Sequence, residues 1–450
     1  MRKSSLALAI AVGALAQQAS AAGFLEDSHA SVSSRTFFFQ NDNREALPGS
    51  GADQRELATI LRADFISGYT QGTVGFGLDL VGFQAFYLGG DNKHTANNNF
   101  FPGKAGDADD AFSGAAGNAK IKISKTEIKL GNALAPNLPI LVANDGRVAP
   151  QLFQGGMITS KDIDSLTLTA GQLEQQRGRA SSNYTGMSVN GSATNNRDSN
   201  KFLFAGGDWK ATKDLTLQYY YANLEDYYKQ NFLGLLHVLP LGQDQSFKTD
   251  LRFFNTTSDG KNKDHDVGYQ FRGNGGYYGD GEIDSKVGIA MFTYTLGGHS
   301  LMLGHQRISD SGGFVYMNSG SMTEGTGATT GNGGVSFYSF TDSLISGFNK
   351  AGENTTFGQY SYDFARLGVP GLKASAAYLS GKDARPQASG TGDGSEHETD
   401  LRVDYVVQSG LLKGFGTTLR QGIYNSNEKA GTSQKQNQTR LIFNYTYNFF

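Results

Sequence analysis

The chain ends on TRLIFNYTYNFF, Thr439–Phe450. Leu441, Phe443, Tyr445, Tyr447 and Phe449 occupy every second place, while Arg440, Asn444, Thr446 and Asn448 fill most of the places between. A two-residue period is that of a strand with one apolar and one wet face. Termini are usually polar and frayed unless something ties them down, yet the last residue here is Phe450. The final strand therefore needs a partner, and the arginine on its wet face needs an aqueous or paired environment.

The opposite end tells where the chain goes. Met1-Arg2-Lys3 is followed by an apolar run from Leu6 to Ala16 and by small residues around Ala21 and Ala22. This is the pattern of a secretory signal peptide, here residues 1–22, and the apolar run is shorter than the ~20 residues a membrane helix needs. The mature chain is then 23–450, read as one domain. There is no cysteine in 450 residues, which excludes a disulfide-stapled exported scaffold. Glycine, 60 of 450 residues, is nearly twice as frequent as usual and aromatics reach 12%, a mixture suited to many strands, tight turns and wet loops. Loss of Arg2 and Lys3 takes the net charge from −3 to −5, so no bulk basicity points to nucleic acid.

Alternating runs recur along the chain in pairs joined by a few residues. Leu57–Ile66 turns through SGYTQG into TVGFGLDLV; AKIKIS turns at Lys125-Thr126 into EIKLG. Further turns are placed at Lys161–Asp164, KATKD, PLGQDQ, GGH, ARLGVPG and SGLLKG, giving eight hairpins. With SVSSRTFFF in front and the closing strand behind, the count is eighteen, and the hairpins are separated by long polar connections such as 89–118, 173–200, 255–284 and 309–355. Short turns on one rim and long loops on the other predict an all-β, 18-stranded antiparallel transmembrane β-barrel. Closure of the last strand on the first follows, because an unpaired edge in lipid leaves backbone groups unsatisfied. A barrel of this size is expected to enclose an aqueous lumen, which makes passage of solutes the default function.

Charged strand residues are expected to face the lumen, since lipid exposure of Arg or Lys at midplane costs ~2–4 kcal/mol. The inward set is Arg62, Asp64, Asp79, Lys120, Lys122, Glu127, Lys129, Lys248, Asp250, Arg252, Asp363, Asp400, Arg402, Asp404, Arg420 and Arg440. Arg35 joins it, although Phe37 and Phe39 share its parity, which calls for a bulge or a rim position for those rings. Closure brings Arg402, Arg420, Arg440, Arg35 and Arg62 onto one wall. That wall is either an arginine track passing carboxylates along by bidentate bonds or a set of pairs with Asp64, Asp400 and Asp404. Asn132–Gln151, with three of the eight prolines around an apolar centre, is expected to fold into the pore and carry Arg147 to a constriction; the alternative is a stiff outer lid. The Gly-rich GSMTEGTGATTGNGG, Gly320–Gly334, reads as a gate or as solvated surface.

Catalytic and metal signals are lacking: His29, His94, His237, His265, His299, His305 and His397 show no ligand spacing, there is no GxSxG elbow, and no cofactor is expected. The acidic GDADDAF, Gly106–Phe112, suits a solvated loop better than a cation or lipopolysaccharide bridge. A barrel enzyme with a hydrolytic site, an adhesive barrel and a non-specific diffusion pore remain as other readings.

GFLEDSHASVSSRTFFF, SGYTQGTVGFGLDL, KISKTEIKLG, YANLEDYYKQNF, LGVPGLKASAAYLSGKD, HETDLRVDYVVQSG and the final RLIFNYTYNFF resemble the OprD-type porins of pseudomonads, in order and over nearly the whole mature chain. The resemblance implies an eighteen-stranded channel in the outer membrane of a Gram-negative bacterium, passive and without a cofactor. It would take up small solutes bearing a carboxylate: organic or aromatic acids, amino acids or peptides. It implies a basic ladder on Arg35, Arg62, Arg402, Arg420 and Arg440, and Lys122, Lys129 and Arg147 complete the expected translocation set. Its surroundings would be outer-membrane lipid and lipopolysaccharide, with the barrel-assembly machinery reading the C-terminal aromatics; the barrel would be a homotrimer or a monomer. Ser361 stands where an arginine rung is expected, and Gly347 where relatives accepting basic amino acids resemble SDF. Both departures point away from basic amino acids and toward simple organic or aromatic acids.

Overall fold

The computed structural model describes residues 23–46, 53–91, 100–104, 107–190, 197–271, 281–319, 322–324, 328–330, 334–385, 392–427, 429–430 and 433–450. The expected leader, 1–22, lies outside them, as does most of the Gly-rich stretch around its two short strands, Met322–Glu324 and Ala328–Thr330. Eighteen strands form one antiparallel sheet. In chain order they are β1 His29–Ala46, β2 Gln54–Ile66, β3 Val74–Gly90, β4 Ala111–Ile123, β5 Thr126–Leu134, β6 Leu152–Ser160, β7 Leu166–Arg177, β8 Phe202–Lys210 and β9 Leu215–Leu224. They continue with β10 Tyr228–Gly242, β11 Gln245–Ser258, β12 Asp284–Leu296, β13 His299–Ile308, β14 Asn354–Asp363, β15 Leu372–Ala384, β16 Gly394–Val406, β17 Gly416–Ser426 and β18 Ser433–Asn448.

Each strand pairs with its neighbour in sequence, and β18 pairs with β1 from Ser31↔Asn448 to Ala46↔Ser433. The last residues are fixed by Phe449 N–H on the Ala30 carbonyl (2.9 Å) and Ala30 N–H on the Phe450 carbonyl (3.3 Å). The closing strand thus meets the first strand, and the sheet has no free edge. Several strands exceed the ~9–11 residues a tilted crossing needs; β1 runs for 18 and β3 for 17. The excess carries the barrel beyond the apolar band. The turns on the short rim fall close to the expected places, with Ser124 and Asp244 in left-handed conformations at two of the three two-residue turns. In LGVPG, Gly371 adopts φ +88°, and a Cβ there would lie 2.3 Å from the Val406 carbonyl, so this turn requires glycine. One expectation about the other rim fails. The connection between β9 and β10 is only residues 225–227, with Tyr227 N–H closing back on the Leu224 carbonyl.

The outer face follows the alternation. Leu61, Phe76, Leu233, Leu303, Leu401, Val403 and Tyr447 are exposed, as lipid-facing side chains must be. Inside, the lumen is not uniformly aqueous. Phe314, Val315, Met317, Phe337 and Phe348, from the connection between β13 and β14, are buried against Phe232 and Phe254 of the inner wall. Phe232 and Phe254 stand 4.8 Å apart and Phe254 and Phe314 5.0 Å. A long loop carrying this many rings is stabilised by folding inward, each buried side chain contributing ~1.5–3 kcal/mol.

The parity of Arg35, Phe37 and Phe39 needs no bulge at those positions. All three face inward, and the rings are covered by Phe100 from the connection between β3 and β4, with centroids 5.0 and 5.8 Å away. Asp363 shares the inward face but ends its strand, where it accepts from Ala365 N–H (3.0 Å) and pairs with Lys373 (3.1 Å). It caps a turn and does not line the path.

Candidate functional site

Two connections narrow the lumen. Residues 135–151 enter it: Val148 and Ala149 are buried with Phe37 and Phe39, and Ser336 N–H of the β13–β14 connection donates to the Val142 carbonyl (3.0 Å). Arg35 fastens this connection to the wall. Its Nη1 and Nη2 each donate to Asp145 at 2.8 Å, Nη1 also reaches the Arg147 carbonyl (2.9 Å), and Nε bonds Asn444 Oδ1 (3.1 Å) across the β1–β18 seam.

The β13–β14 connection is held by carboxylates of β16. Glu396, Glu398, Asp400, Arg402 and Asp404 alternate with the outward Leu401, Val403 and Tyr405, so all five face inward. Glu398 accepts from Ile345 N–H and Ser346 N–H, both 2.8 Å, and Ser343 Oγ lies 2.8 Å from both Glu398 and Asp400. Glu396 takes Lys350 Nζ at 2.5 Å, Tyr424 OH at 2.5 Å and Ser346 Oγ at 2.9 Å. Arg440 adds Nη2 to the Leu344 carbonyl (2.6 Å) and Nε to Gln438 (2.7 Å).

Between these two connections and the wall lies a cavity of about 570 Å³. Among the described residues its basic lining is Arg147, Arg179, Arg402, Arg420 and Arg440, against Asp342 and Asp400; Tyr316, Phe337 and Phe340 give it an aromatic side. The wall arginines form a row, because Arg402 is the cross-strand partner of Arg420 and Arg420 that of Arg440. The row then meets Phe39, not an arginine. Arg35 is displaced from Phe39 by four residues along β1, ~14 Å at strand rise.

The expected residues divide accordingly. Arg147, Arg402, Arg420 and Arg440 line one cavity, and Arg35 borders it as an anchor for the connection. Arg62 is paired with Asp64 through Nε (3.0 Å) and Nη2 (2.6 Å). Arg402 is paired with Asp404 in the same manner, at 2.6 and 2.9 Å. Pairing therefore holds for those two, whereas Asp400 is turned to the connection. Lys122 and Lys129 lie toward the short-turn rim: Lys122 sits over the Tyr69 ring (5.3 Å), and Lys129 pairs with Asp79 (3.3 Å) and Glu127 (3.5 Å). Arg179 and Asp342 were not singled out from sequence. Neither lies in a periodic segment, so no pattern marks them. Glu396 and Glu398 did carry a signal, the alternation of HETD with the strand.

Burial, followed by repulsion from Arg147, pushes the Arg179 guanidinium down to about 9, which leaves it charged at neutral pH. Burial raises the Asp342 carboxyl to about 6, against the pull of the Ser336 hydroxyl, Arg179 and Arg440. An acid raised in this way favours the folded state most below its free value of ~3.9, and that contribution is lost as pH rises through about 6. Acidification through the same range removes one negative charge from this arginine-rich lining. The zero-current potential in a KCl gradient is expected to move toward anion preference as pH falls from alkaline to acidic, with a midpoint near 6. Asp342→Asn should hold the acidic value at every pH; an unchanged titration in that variant would place the responsible group elsewhere.

The family model described as outer membrane porin, OprD family, matches residues 22–449. The chain is 31% identical to Porin D of Pseudomonas aeruginosa over 99% of its own length and 98% of that protein's. It is also 31% identical to the porin-like protein GalP of Pseudomonas putida, covering 95% and 94%. Among solved structures, Pseudomonas aeruginosa OccK8 (OprE) superposes with TM-score 0.82 at 40% identity, over 95% of this chain and all of the other. Pseudomonas aeruginosa OpdK, solved with vanillate, superposes with TM-score 0.78 at 28% identity and the same coverage. The eighteen-stranded closure, the inward connections and these likenesses agree: the chain belongs to the OprD family of outer-membrane porins of Gram-negative bacteria.

Proposed function

We propose that this porin is a passive, substrate-selective channel for small solutes bearing a carboxylate, which pass the constriction against the row Arg402–Arg420–Arg440. The observation that carries the reading is the imbalance of the cavity lining, five arginines against two aspartates, opposite an aromatic side. Guanidinium forks suit carboxylates, and rings suit the apolar remainder of an organic or aromatic acid. The likeness to OpdK, solved with vanillate, supports an aryl acid as one such solute. Gly347 supports the absence of an acid for basic amino acids: a Cβ there would stand 2.8 Å from Asn349 Nδ2 and 3.2 Å from the Phe337 ring. No covalent step is part of this reading.

The test is swelling of liposomes containing the purified protein in benzoate against benzamide, solutes of nearly equal size. Faster entry of the acid is expected at low ionic strength, with the difference shrinking as salt screens the lining over ~8 Å. Equal rates at every ionic strength would make the channel a sieve.

A further inference from the structure

Guanidinium groups around the cavity differ in what they have left to offer. Arg402 is engaged by Asp404 through two nitrogens, and Arg440 by Gln438 and the Leu344 carbonyl. Both are parts of the wall's own bonding. Arg420 makes no hydrogen bond among the described residues, and its Nε is buried without a partner. Arg179 gives one Nη1 to Asn144 (3.2 Å) and its Nε is likewise buried without a partner. Among the described residues, Arg147 gives only Nη1, to the carbonyl of the preceding residue, Gly146 (3.1 Å). A buried donor left unmade is costly, so these side chains are poised to reorient toward a ligand.

The unengaged donors form two groups. Arg420 stands on β17, in the field of Arg402, Asp404, Asp400 and Arg35. Arg147 stands on the connection 135–151 and Arg179 on the connection that follows β7, in each other's field and in that of Asp342. One carboxylate fills one fork, and a second carboxylate would engage the other group. The lining carries a surplus of three positive charges when Asp342 and Asp400 are ionised, which a monoanion reduces only in part. About 570 Å³ falls within the ~300–1,000 Å³ of small-molecule sites.

We infer that the cavity is built for small dicarboxylates, one carboxylate held by Arg420 of the wall and the other by Arg147 and Arg179 of the connections after β5 and β7. This rests on the carboxylate-channel reading and narrows it from acids in general to dianions. Arg179 is the specificity-determining residue, because without it the second carboxylate loses a charged fork.

The experiment measures block of KCl current through single channels by succinate and by butyrate, at mildly alkaline pH and fixed ionic strength. Wild-type protein is expected to be half-blocked by succinate at a concentration on the order of tenfold lower than by butyrate. Arg179→Gln and Arg420→Gln should each bring that ratio to within about twofold, and the double variant should lose little more, because bridging needs both ends. Additive losses would mean that succinate feels only the general positive field, and the inference would fall. Equal block of the wild type by the two acids would also overturn it while leaving the carboxylate channel intact. Block by neither would overturn both readings together. Heat-modifiable migration in gels checks that each variant is a closed barrel, and Arg147→Gln replaces Arg179→Gln should the latter fail to assemble.

Discussion

Glu398→Ala is expected to raise single-channel conductance severalfold. Glu398 is fully buried and accepts from two backbone N–H groups, of Ile345 and Ser346, besides its contact with Ser343 Oγ. Truncation leaves two donors in a site shaped for a carboxylate, each costing ~1–3 kcal/mol if it stays buried and unpaired. The turn 343–346 escapes this cost by moving into water, and it then withdraws Leu344 and Ile345 from the cavity they line. What remains in place is the ring cluster farther back, in which Phe340 stacks on Phe357 (5.1 Å) and Phe337 on Tyr316 (5.1 Å). The pore should therefore widen without emptying, and the barrel should stay heat-modifiable. Glu398→Gln is the graded case, since an amide oxygen still accepts but without charge, and it should fall between wild type and Glu398→Ala. Wild-type conductance in Glu398→Ala would show that Arg440 on the Leu344 carbonyl and the rings hold the connection unaided.

Much of the barrel was legible because lipid enforces alternation. Each outward residue of β16 and β18 is apolar or aromatic at its expected place, from Leu401 to Tyr405 and from Leu441 to Tyr447. Closure was legible from the terminal strand, and the family from motifs spread along the chain. The lumen was legible only where strands line it. Arg402, Arg420 and Arg440 fall on one row because parity and pairing fix them. Arg62 and Arg35 share the wall but are engaged, by Asp64 on the same strand and by Asp145 on a connection. A two-residue offset on one face makes the first pair readable in a sequence. The second depends on where a connection of many residues folds, which no local period encodes. The same limit hid Arg179 and Asp342. The aromatics at Phe37 and Phe39 misled for a related reason: inward rings look out of place until Phe100 arrives from another connection to cover them.

The role of the arginine row is best tested by a single substitution. Replacing Arg402, Arg420 and Arg440 together would confound charge with structure, because Arg440 holds the Leu344 carbonyl and Arg402 holds Asp404. Arg420→Gln removes one charge and no hydrogen bond among the described residues, since that guanidinium makes none. The barrel should therefore form normally, as lumen positions accept polar residues. What changes is the potential in the narrowest part of the path, where ~8 Å of screening at physiological salt still leaves the lining charges in control. The measurement is the zero-current potential of Arg420→Gln beside wild type in KCl gradients of low and high mean concentration. A shift toward cation preference is expected, large at low salt and small at high salt, together with weaker block by carboxylates. A correctly assembled Arg420→Gln channel with wild-type potential at both concentrations would contradict it.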